Sequence, residues 1–222
     1  MPRLAIYDLD ETITRRPTFA RWLLFWGLRR APWRLPLLAV QGLALLGYVA
    51  GWIDRRALKT LGMRLIMGAR IPRMAVEHEA HAFAARELYT NIGPRALASI
   101  AVDRAEGRRL VLATASMDFY ADAFAAALGF DATIATRSVW DADTLLPGEA
   151  GPNCHGPGKL SRIEAWLADR RTPRDAVHVR VYSDHISDLP SLAWADEAVA
   201  VNPSPELEAA ARARGWRVER WR

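Results

Sequence analysis

Short apolar runs alternate with longer amphipathic segments along most of the chain. Apolar runs that predict buried strands occupy residues 4–7, 110–113, 132–135, 177–181 and 198–201. Segments that favour helices occupy residues 95–105, 121–128, 160–168 and 206–214, and glycine directly follows two of them as a helix stop. Strands that alternate with helices in this way predict an α/β fold, in which helices flank a parallel sheet on both faces.

A long segment between the first two predicted strands has a different pattern. Residues 15–74 contain twelve arginines and lysines and a single acid, Asp54, which gives this stretch a charge of +11. Because the whole chain has a net charge of +5, the remainder is net acidic. Four of the nine tryptophans lie in the same stretch, and we interpret it as a separate functional unit.

Residues 35–53 form an uncharged run of 19 residues within this segment. That length approaches what a helix needs to span a bilayer, but Pro36, Gln41 and three glycines weaken this interpretation. Arginines flank the run on both sides, so the positive charges predict no orientation in a membrane. Three interpretations stay open: a buried helical hairpin, a helix lying on a membrane surface, or a membrane span.

Composition narrows the class of protein. With 51% apolar and 25% charged residues among 222, the chain has the composition of one globular domain, or of one domain with a large insertion. The single cysteine, Cys154, excludes a disulfide framework and a cysteine-rich zinc site. The apolar run at the N-terminus ends at acids and lacks the pattern of a secretory signal, so we expect a cytoplasmic protein.

The basic character of the chain favours an anionic partner. Its isoelectric point near 9.9 is compatible with a phosphate-bearing substrate, a membrane surface or a nucleic acid. A nucleic acid is disfavoured, because the basic segment is interrupted by an apolar run, whereas a nucleic-acid-binding stripe is polar. The sequence indicates no protein partner.

Acids, a hydroxyl and a lysine follow the predicted strands or begin a helix at one edge of the sheet. They are Asp8 and Asp10 after the first strand, Thr114 after the second, Asp184 and Asp188 after the fourth, and Lys159 at the start of the preceding helix. In parallel sheets the ligand site lies beyond the carboxyl ends of the strands, so we expect these side chains to converge. Clustered carboxylates need a cation, and Mg²⁺ prefers oxygen ligands and supports chemistry on phosphates. Zinc is not expected, because no cysteine or histidine belongs to the set.

Four motifs in this order resemble those of the haloacid dehalogenase superfamily of phosphatases. They are Asp8-Leu-Asp10-Glu-Thr12, Leu112-Ala-Thr114-Ala-Ser116, Gly156-Pro-Gly-Lys159 and Tyr182-Ser-Asp184-His-Ile-Ser-Asp188-Leu-Pro190. The resemblance implies a Rossmann-like core of residues 1–14 and 92–222, with a parallel sheet flanked by helices. Residues 15–91, inserted after the first strand, resemble the helical cap of the IB subclass, which includes phosphoserine phosphatases.

The resemblance also implies roles for individual residues. Asp8 is the expected nucleophile and a Mg²⁺ ligand, while Asp10 is the expected acid and base whose main-chain carbonyl also binds the metal. Thr114 and Lys159 are expected to contact the phosphoryl group. Asp184 is the third expected metal ligand, and Asp188 is expected to support the metal's water shell or Lys159. Thr12, Ala115 and Arg16 are expected to contact the substrate.

The substrate is less well defined by the motifs. Phosphoserine phosphatases have a glutamate nine residues after the nucleophile, where this chain has Pro17, so an amino-acid substrate is disfavoured. The basic, tryptophan-rich segment favours an anionic lipid phosphate. Asn153-Cys-His-Gly156, the fourth motif, Val201-Asn-Pro203 and Arg214-Gly-Trp216 resemble a bacterial branch that includes C-type phosphatidylglycerophosphatases.

This interpretation predicts a protein that is peripheral or integral at the inner face of the cell membrane. The bases Arg29, Arg30, Arg55 and Arg56 are then expected to lie outside the core site. Two alternatives stay open: a small-metabolite phosphatase of the phosphoserine-phosphatase type, and a non-catalytic protein that binds a membrane surface.

Overall fold

The computed structural model describes all 222 residues. Its first half contains β1 (Arg3–Tyr7), α1 (Thr18–Arg30), α2 (Leu38–Val49), α3 (Arg55–Gly62), β2 (Ile71–Pro72), α4 (Arg73–Thr90) and α5 (Pro94–Ala105). The second half begins with β3 (Arg109–Met117), α6 (Asp118–Leu128), β4 (Ala132–Thr136), β5 (Ser138–Asp141) and β6 (Thr144–Glu149). It ends with α7 (Pro157–Asp169), β7 (His178–Ser183), α8 (Leu189–Trp194), β8 (Glu197–Val201), α9 (Pro205–Ala213) and β9 (Arg217–Glu219).

Six of the strands form one sheet in the order β4-β3-β1-β7-β8-β9, and every neighbouring pair is parallel. This confirms the predicted α/β fold, and all five predicted strands are present. β1 lies in the middle, with Ile6 paired to Val111 on one side and to Val181 on the other. The carboxyl ends of β1, β3 and β7 therefore meet at one edge of the sheet.

The central strand β1 has apolar side chains on both sides of its pleat, so the sheet is buried on both faces there. Ala5 and Tyr7 contribute to one hydrophobic cluster, and the alternate residues Leu4 and Ile6 contribute to the other. Helices α7, α8 and α9 cover the face of Leu4 and Ile6. Helices α5 and α6, together with the inserted segment, cover the opposite face.

The inserted segment leaves and rejoins the sheet at neighbouring positions. Thr14 and Ile92 form an isolated antiparallel bridge, and the Arg15 amide donates to the Asn91 carbonyl at 2.7 Å. The segment is helical apart from the short strand β2. Its buried Trp22 packs against rings on α4 and α6, so its core is continuous with that of the sheet.

The uncharged run over residues 35–53 contains the twelve-residue helix α2. No residue of α2 is buried, so the interpretation as a buried helical hairpin is wrong. Every helix of the chain is too short or too polar to cross a membrane. A short exposed helix is what the structure has in this place.

A second, three-stranded antiparallel sheet has the order β2-β6-β5 and was not expected from the sequence. Its β5–β6 hairpin turns at Ala142, which adopts a left-handed conformation with φ of 49°. The hairpin brings the buried carboxylate of Glu149, at the end of β6, close to α3 of the inserted segment.

Candidate active site

The loop after β1 places two aspartates at the carboxyl edge of the sheet. The Asp8 amide donates to the Tyr182 carbonyl of β7 at 3.0 Å, so the chain is still attached to the sheet at Asp8. Residues Leu9–Ile13 then form an irregular turn, in which Asp10 is extended and Glu11 has a left-handed φ of 58°. This turn lets both Asp8 and Asp10 line one cavity.

Asp10 is held by hydrogen bonds to each of its carboxylate oxygens. Oδ1 accepts from the Thr18 amide at the start of α1 at 2.7 Å, and Oδ2 accepts from the Ser116 hydroxyl at 2.8 Å. The Thr18 and Ser116 hydroxyls lie 3.1 Å apart, so the two supports are themselves connected. The side chain is thereby fixed in one orientation before any substrate binds.

Lys159 and Asp188 form a buried ion pair next to Asp8. Lys159 Nζ lies 2.5 Å from Asp188 Oδ2 and 3.0 Å from Asp8 Oδ1. The Ser183 hydroxyl also donates to Asp188 Oδ2, at 2.7 Å. Burial alone would lower the pKa of Lys159, but the charges of Asp188 and Asp8 raise it well above its ordinary value, so the ammonium is retained.

Asp184 lines the same cavity as Asp8 and accepts a hydrogen bond from the Thr12 hydroxyl at 3.2 Å. Burial raises the pKa of Asp8 and of Asp184, and the negative charges around each of them act in the same direction. Two buried carboxylates that are destabilised in their charged form in this way favour the binding of a cation.

The donor set fits a hard cation better than a soft one. No three side chains of histidine, cysteine, aspartate or glutamate are grouped as a metal site. Mg²⁺, however, needs only one or two carboxylates and retains several of its waters. Asp188 Oδ1 is buried and has no hydrogen-bond partner in the protein, as expected for an oxygen that faces a metal's water shell.

The cavity has a volume of about 190 Å³ and is lined almost entirely by polar side chains. Its walls are Asp8, Asp10, Glu11, Pro17, Arg55, Thr114, Ala115, His155, Lys159, Asp184, His185, Ser187 and Asp188. Seven of the predicted site residues are therefore brought together. Thr12 lies behind Asp184, and Arg16 is exposed and does not line the cavity.

Arg55 at the start of α3 lines the cavity, so the expectation that it lies outside the core site is wrong. Its Nη1 is 3.5 Å from His155 Nδ1. Burial and the charge of Arg55 lower the pKa of His155 to about 4, so this imidazole is neutral at pH 7.

Two other bases of the inserted segment do not line the cavity. Arg29 pairs with Glu79, and Arg56 donates to the Glu149 carbonyl.

The carboxyl end of β3 is held by a buried polar network that includes Lys59 of α3. The Ala115 carbonyl accepts from Lys59 Nζ at 2.7 Å and from the Thr136 hydroxyl at 2.9 Å. The Ser116 amide donates to Thr114 Oγ1 at 3.1 Å. Because Thr114 Oγ1 is used there as an acceptor, its own hydroxyl proton is free to point into the cavity.

Lys59 also pairs with Glu149 Oε1 at 3.0 Å, and both side chains are at least nine-tenths buried. We expect Lys59→Met to lower the free energy of unfolding by about 3–5 kcal/mol, because it leaves a buried carboxylate without its cation. Urea denaturation measures the change. Arg64→Met, at an exposed base of the same segment, is the control and should change it by less than about 0.5 kcal/mol. Equal losses in both variants would contradict the importance of the buried pair.

Two carboxylates, one of them fixed by hydrogen bonds, and a buried lysine line a polar cavity that is suited to the hydrolysis of phosphate esters. The chain belongs to the haloacid dehalogenase-like hydrolase family, which matches residues 5–193. The predicted family is thus confirmed, and with it an enzyme of the phosphatase type.

Individual proteins extend this similarity over the whole chain. CicA of Caulobacter vibrioides is 32% identical over 200 residues, which cover 88% of this chain and 84% of CicA. A histidinol-phosphatase of Neisseria meningitidis is 28% identical over 223 residues and covers 98% of both chains. The crystal structure of a Bordetella pertussis protein of unknown function superimposes with a TM-score of 0.88 at 25% identity, covering 99% of this chain and 98% of that one.

Proposed function

We propose that this phosphatase is magnesium-dependent and hydrolyses phosphomonoesters through an aspartyl-phosphate intermediate on Asp8. The observation that carries the proposal is the position of Asp8 in the polar cavity, with Lys159 Nζ at 3.0 Å from its Oδ1. The ammonium lowers the pKa of Asp8 against the opposing effect of burial, and it offsets the charge of an incoming phosphoryl group. The Thr114 hydroxyl donates to a phosphoryl oxygen.

In the first step an oxygen of Asp8 forms a bond to phosphorus while the ester P–O bond breaks. Asp10 gives its proton to the departing oxygen, which leaves as an alcohol. In the second step a water oxygen attacks phosphorus, the bond to Asp8 breaks, and the water's proton returns to Asp10. Both steps need Asp10 in one fixed place, and its bonds to Thr18 and Ser116 supply that.

The Asp8 and Asp184 side chains and the Asp10 main-chain carbonyl would hold the metal ion. Bound Mg²⁺ supplies positive charge that stabilises the phosphoryl group during transfer. Asp188 has two functions in this proposal. Its Oδ2 holds Lys159, and its unpartnered Oδ1 accepts from the metal's water shell.

Removal of Mg²⁺ by a chelator should abolish turnover of p-nitrophenyl phosphate, because the carboxylates then repel the phosphate and one another. Added Mg²⁺ should restore turnover and also raise the melting temperature, since a ligand that binds only the folded state stabilises it. Full activity after exhaustive chelation would contradict magnesium dependence.

We further propose that residues 15–91 act as a cap that selects the leaving group. The segment contributes Pro17 and Arg55 to the cavity. Pro17 has no charge with which to hold a substrate ammonium group, whereas Arg55 suits a second anionic group of the ester. This favours an anionic, lipid-like phosphate ester whose headgroup enters the cavity while its acyl chains stay outside.

A small-metabolite phosphatase is the second candidate. It is favoured by the small volume of the cavity and by the histidinol-phosphatase that matches the chain along its whole length. Release of inorganic phosphate from a panel of esters, with and without detergent, separates the two. The panel contains phosphatidylglycerophosphate, lysophosphatidate, histidinol phosphate, phosphoserine and sugar phosphates.

Arg55→Gln sharpens this test. If Arg55 binds a second anion, the variant should raise the KM for phosphatidylglycerophosphate and leave p-nitrophenyl phosphate nearly unaffected. The same KM increase for both esters would instead indicate that Arg55 acts on the phosphoryl group itself.

A further inference from the structure

In helix α2 the polar side chains face the protein and apolar side chains face the solvent, which is the reverse of an ordinary surface helix. Its two polar side chains, Gln41 and Tyr48, are both half-buried, and Gln41 donates to the Leu58 carbonyl of α3 at 3.1 Å. Three apolar side chains point away from the protein: Val49 is 77% exposed, Leu43 68% and Leu46 65%, whereas Leu38 at the start of the helix packs against the core. Surface helices normally turn such residues toward the core.

Exposed tryptophans continue this apolar surface beyond both ends of the helix. Trp33 is 72% exposed and Trp52 is 84% exposed. We define the α2 surface as Trp33, Val40, Leu43, Leu46, Val49 and Trp52. Single exposed apolar residues need no explanation, but a continuous run of them on one element marks an interaction surface.

The charged residues near the α2 surface in the sequence are almost all positive. No aspartate or glutamate occurs between Thr12 and Ile53, whereas Arg30, Arg34 and Arg56 flank the helix. The nearest acid, Asp54, uses its Oδ1 to cap α3 by accepting from the Ala57 amide at 2.7 Å. The edge of the surface is therefore complementary to an anionic partner.

An apolar face with a basic edge fits a bilayer of anionic lipids. Leucine and valine side chains enter the boundary between headgroups and acyl chains, tryptophans occupy the interface, and arginines bind phosphates. A second copy of the chain fits less well, because a two-fold contact through this face would bring its arginines close to their own copies.

The dimensions fit a helix that lies on the bilayer. Twelve residues of α-helix extend about 18 Å, whereas the hydrocarbon core is about 30 Å thick. Trp52 is only three residues before Arg55, which lines the cavity. A protein attached through the α2 surface therefore has one wall of its cavity close to the lipid headgroups.

We propose that the α2 surface docks on anionic membranes and presents the cavity to phosphate esters at the bilayer surface. The docking stands on the surface residues alone, and the presentation of esters rests on the proposed phosphatase function.

Sedimentation with vesicles tests the docking without any substrate. Wild-type protein should sediment with phosphatidylglycerol vesicles, much less with phosphatidylcholine vesicles, and less again at high salt. The triple variant Leu43→Gln, Leu46→Gln, Val49→Gln should bind phosphatidylglycerol vesicles at least roughly tenfold more weakly, because it removes apolar side chains that insert. Its three sites are exposed, so its melting temperature should stay close to that of the wild type.

A matched control changes three exposed apolar residues elsewhere: Met74→Gln, Leu97→Gln, Val102→Gln. It should bind vesicles like the wild type, and both triple variants should turn over p-nitrophenyl phosphate normally. Equal binding by the two triple variants would overturn the proposal, as would a wild-type protein that ignores anionic vesicles.

A dimer that is lost only in the α2 variant, with no vesicle binding, would also overturn it in favour of self-association. Vesicle binding by a protein that hydrolyses no ester would support the docking while contradicting the phosphatase mechanism. The two proposals can thus fail separately.

Discussion

Asp8→Asn is expected to lower kcat by roughly 10⁴–10⁶-fold, the range seen when a nucleophile is removed from a catalytic group that acts as a unit. An amide nitrogen or oxygen is a poor nucleophile toward phosphorus and a poor ligand for Mg²⁺. Initial rates with p-nitrophenyl phosphate at saturating Mg²⁺ measure the loss.

The fold should tolerate this substitution. Burial already raises the pKa of Asp8, so its charge is unfavourable in the folded protein and a neutral amide of the same shape removes that cost. Circular dichroism and the melting temperature should therefore change little. Asp175→Asn, at an exposed aspartate away from the cavity, is the matched control and should retain full activity. Turnover of Asp8→Asn near the wild-type rate would contradict the role of Asp8.

Asp10→Asn is expected to lower kcat by about 10²–10⁴-fold on alkyl phosphates, the usual contribution of general acid–base catalysis. The variant keeps an oxygen that can accept from the Thr18 amide and keeps the main-chain carbonyl, so the loop should retain its shape. The variant lacks the proton that the leaving oxygen receives in the first step and the base that takes a proton from water in the second step.

A substrate whose leaving group needs no proton distinguishes the loss of the acid from the loss of the base. p-Nitrophenolate leaves without a proton, so the first step should proceed in Asp10→Asn while hydrolysis of the phospho-enzyme becomes slow. A burst of one p-nitrophenolate per enzyme is the expected result in stopped flow. Ser116→Ala, which removes only a support of Asp10, should slow the alkyl ester less than Asp10→Asn does. An unchanged rate of Asp10→Asn on an alkyl phosphate would exclude Asp10 as the acid.

The sequence was sufficient for five of the six strands of the main sheet and for the part of the site that they position, whereas the short edge strand β9 was not predicted. A short apolar run such as residues 4–7 is typical of a buried strand, and parallel pairing brings the residues after each strand to the same edge. Asp8 and Asp184 are placed by that rule, because they directly follow β1 and β7. Thr114 was expected after its strand but lies three residues before the end of β3, where the pairing with β4 becomes irregular.

The contributions of the inserted segment could not be predicted in this way. Arg55 and Lys59 belong to a highly basic stretch, and their charge pattern is the same as that of bases on the surface. Only the packing of α3 against the hairpin β5–β6 brings Lys59 to Glu149 and Arg55 to His155. That hairpin is short, contains Pro147 and Gly148, and turns at an alanine in a left-handed conformation, so it has no turn sequence to mark it.

The loop after β1 is a third example. The left-handed φ of Glu11 is unusual for a residue with a side chain, and nothing in the residues beside it predicts the conformation. Contacts from distant residues accompany it: the Asn202 side chain donates to the Glu11 carbonyl at 3.2 Å, and Arg222 pairs with the Glu11 carboxylate at 2.7 Å. Such contacts between residues far apart in the sequence are not visible as local patterns.

Detection of the phospho-enzyme tests the account most directly. Protein mixed with p-nitrophenyl phosphate and Mg²⁺, then quenched in acid, is digested and analysed by mass spectrometry. The account predicts one phosphoryl group on the peptide that contains Asp8, labile to hydroxylamine, more abundant in Asp10→Asn and absent in Asp8→Asn. A phosphoryl group on a different residue, or rapid turnover with no phosphorylated peptide in either the wild type or Asp10→Asn, would contradict it.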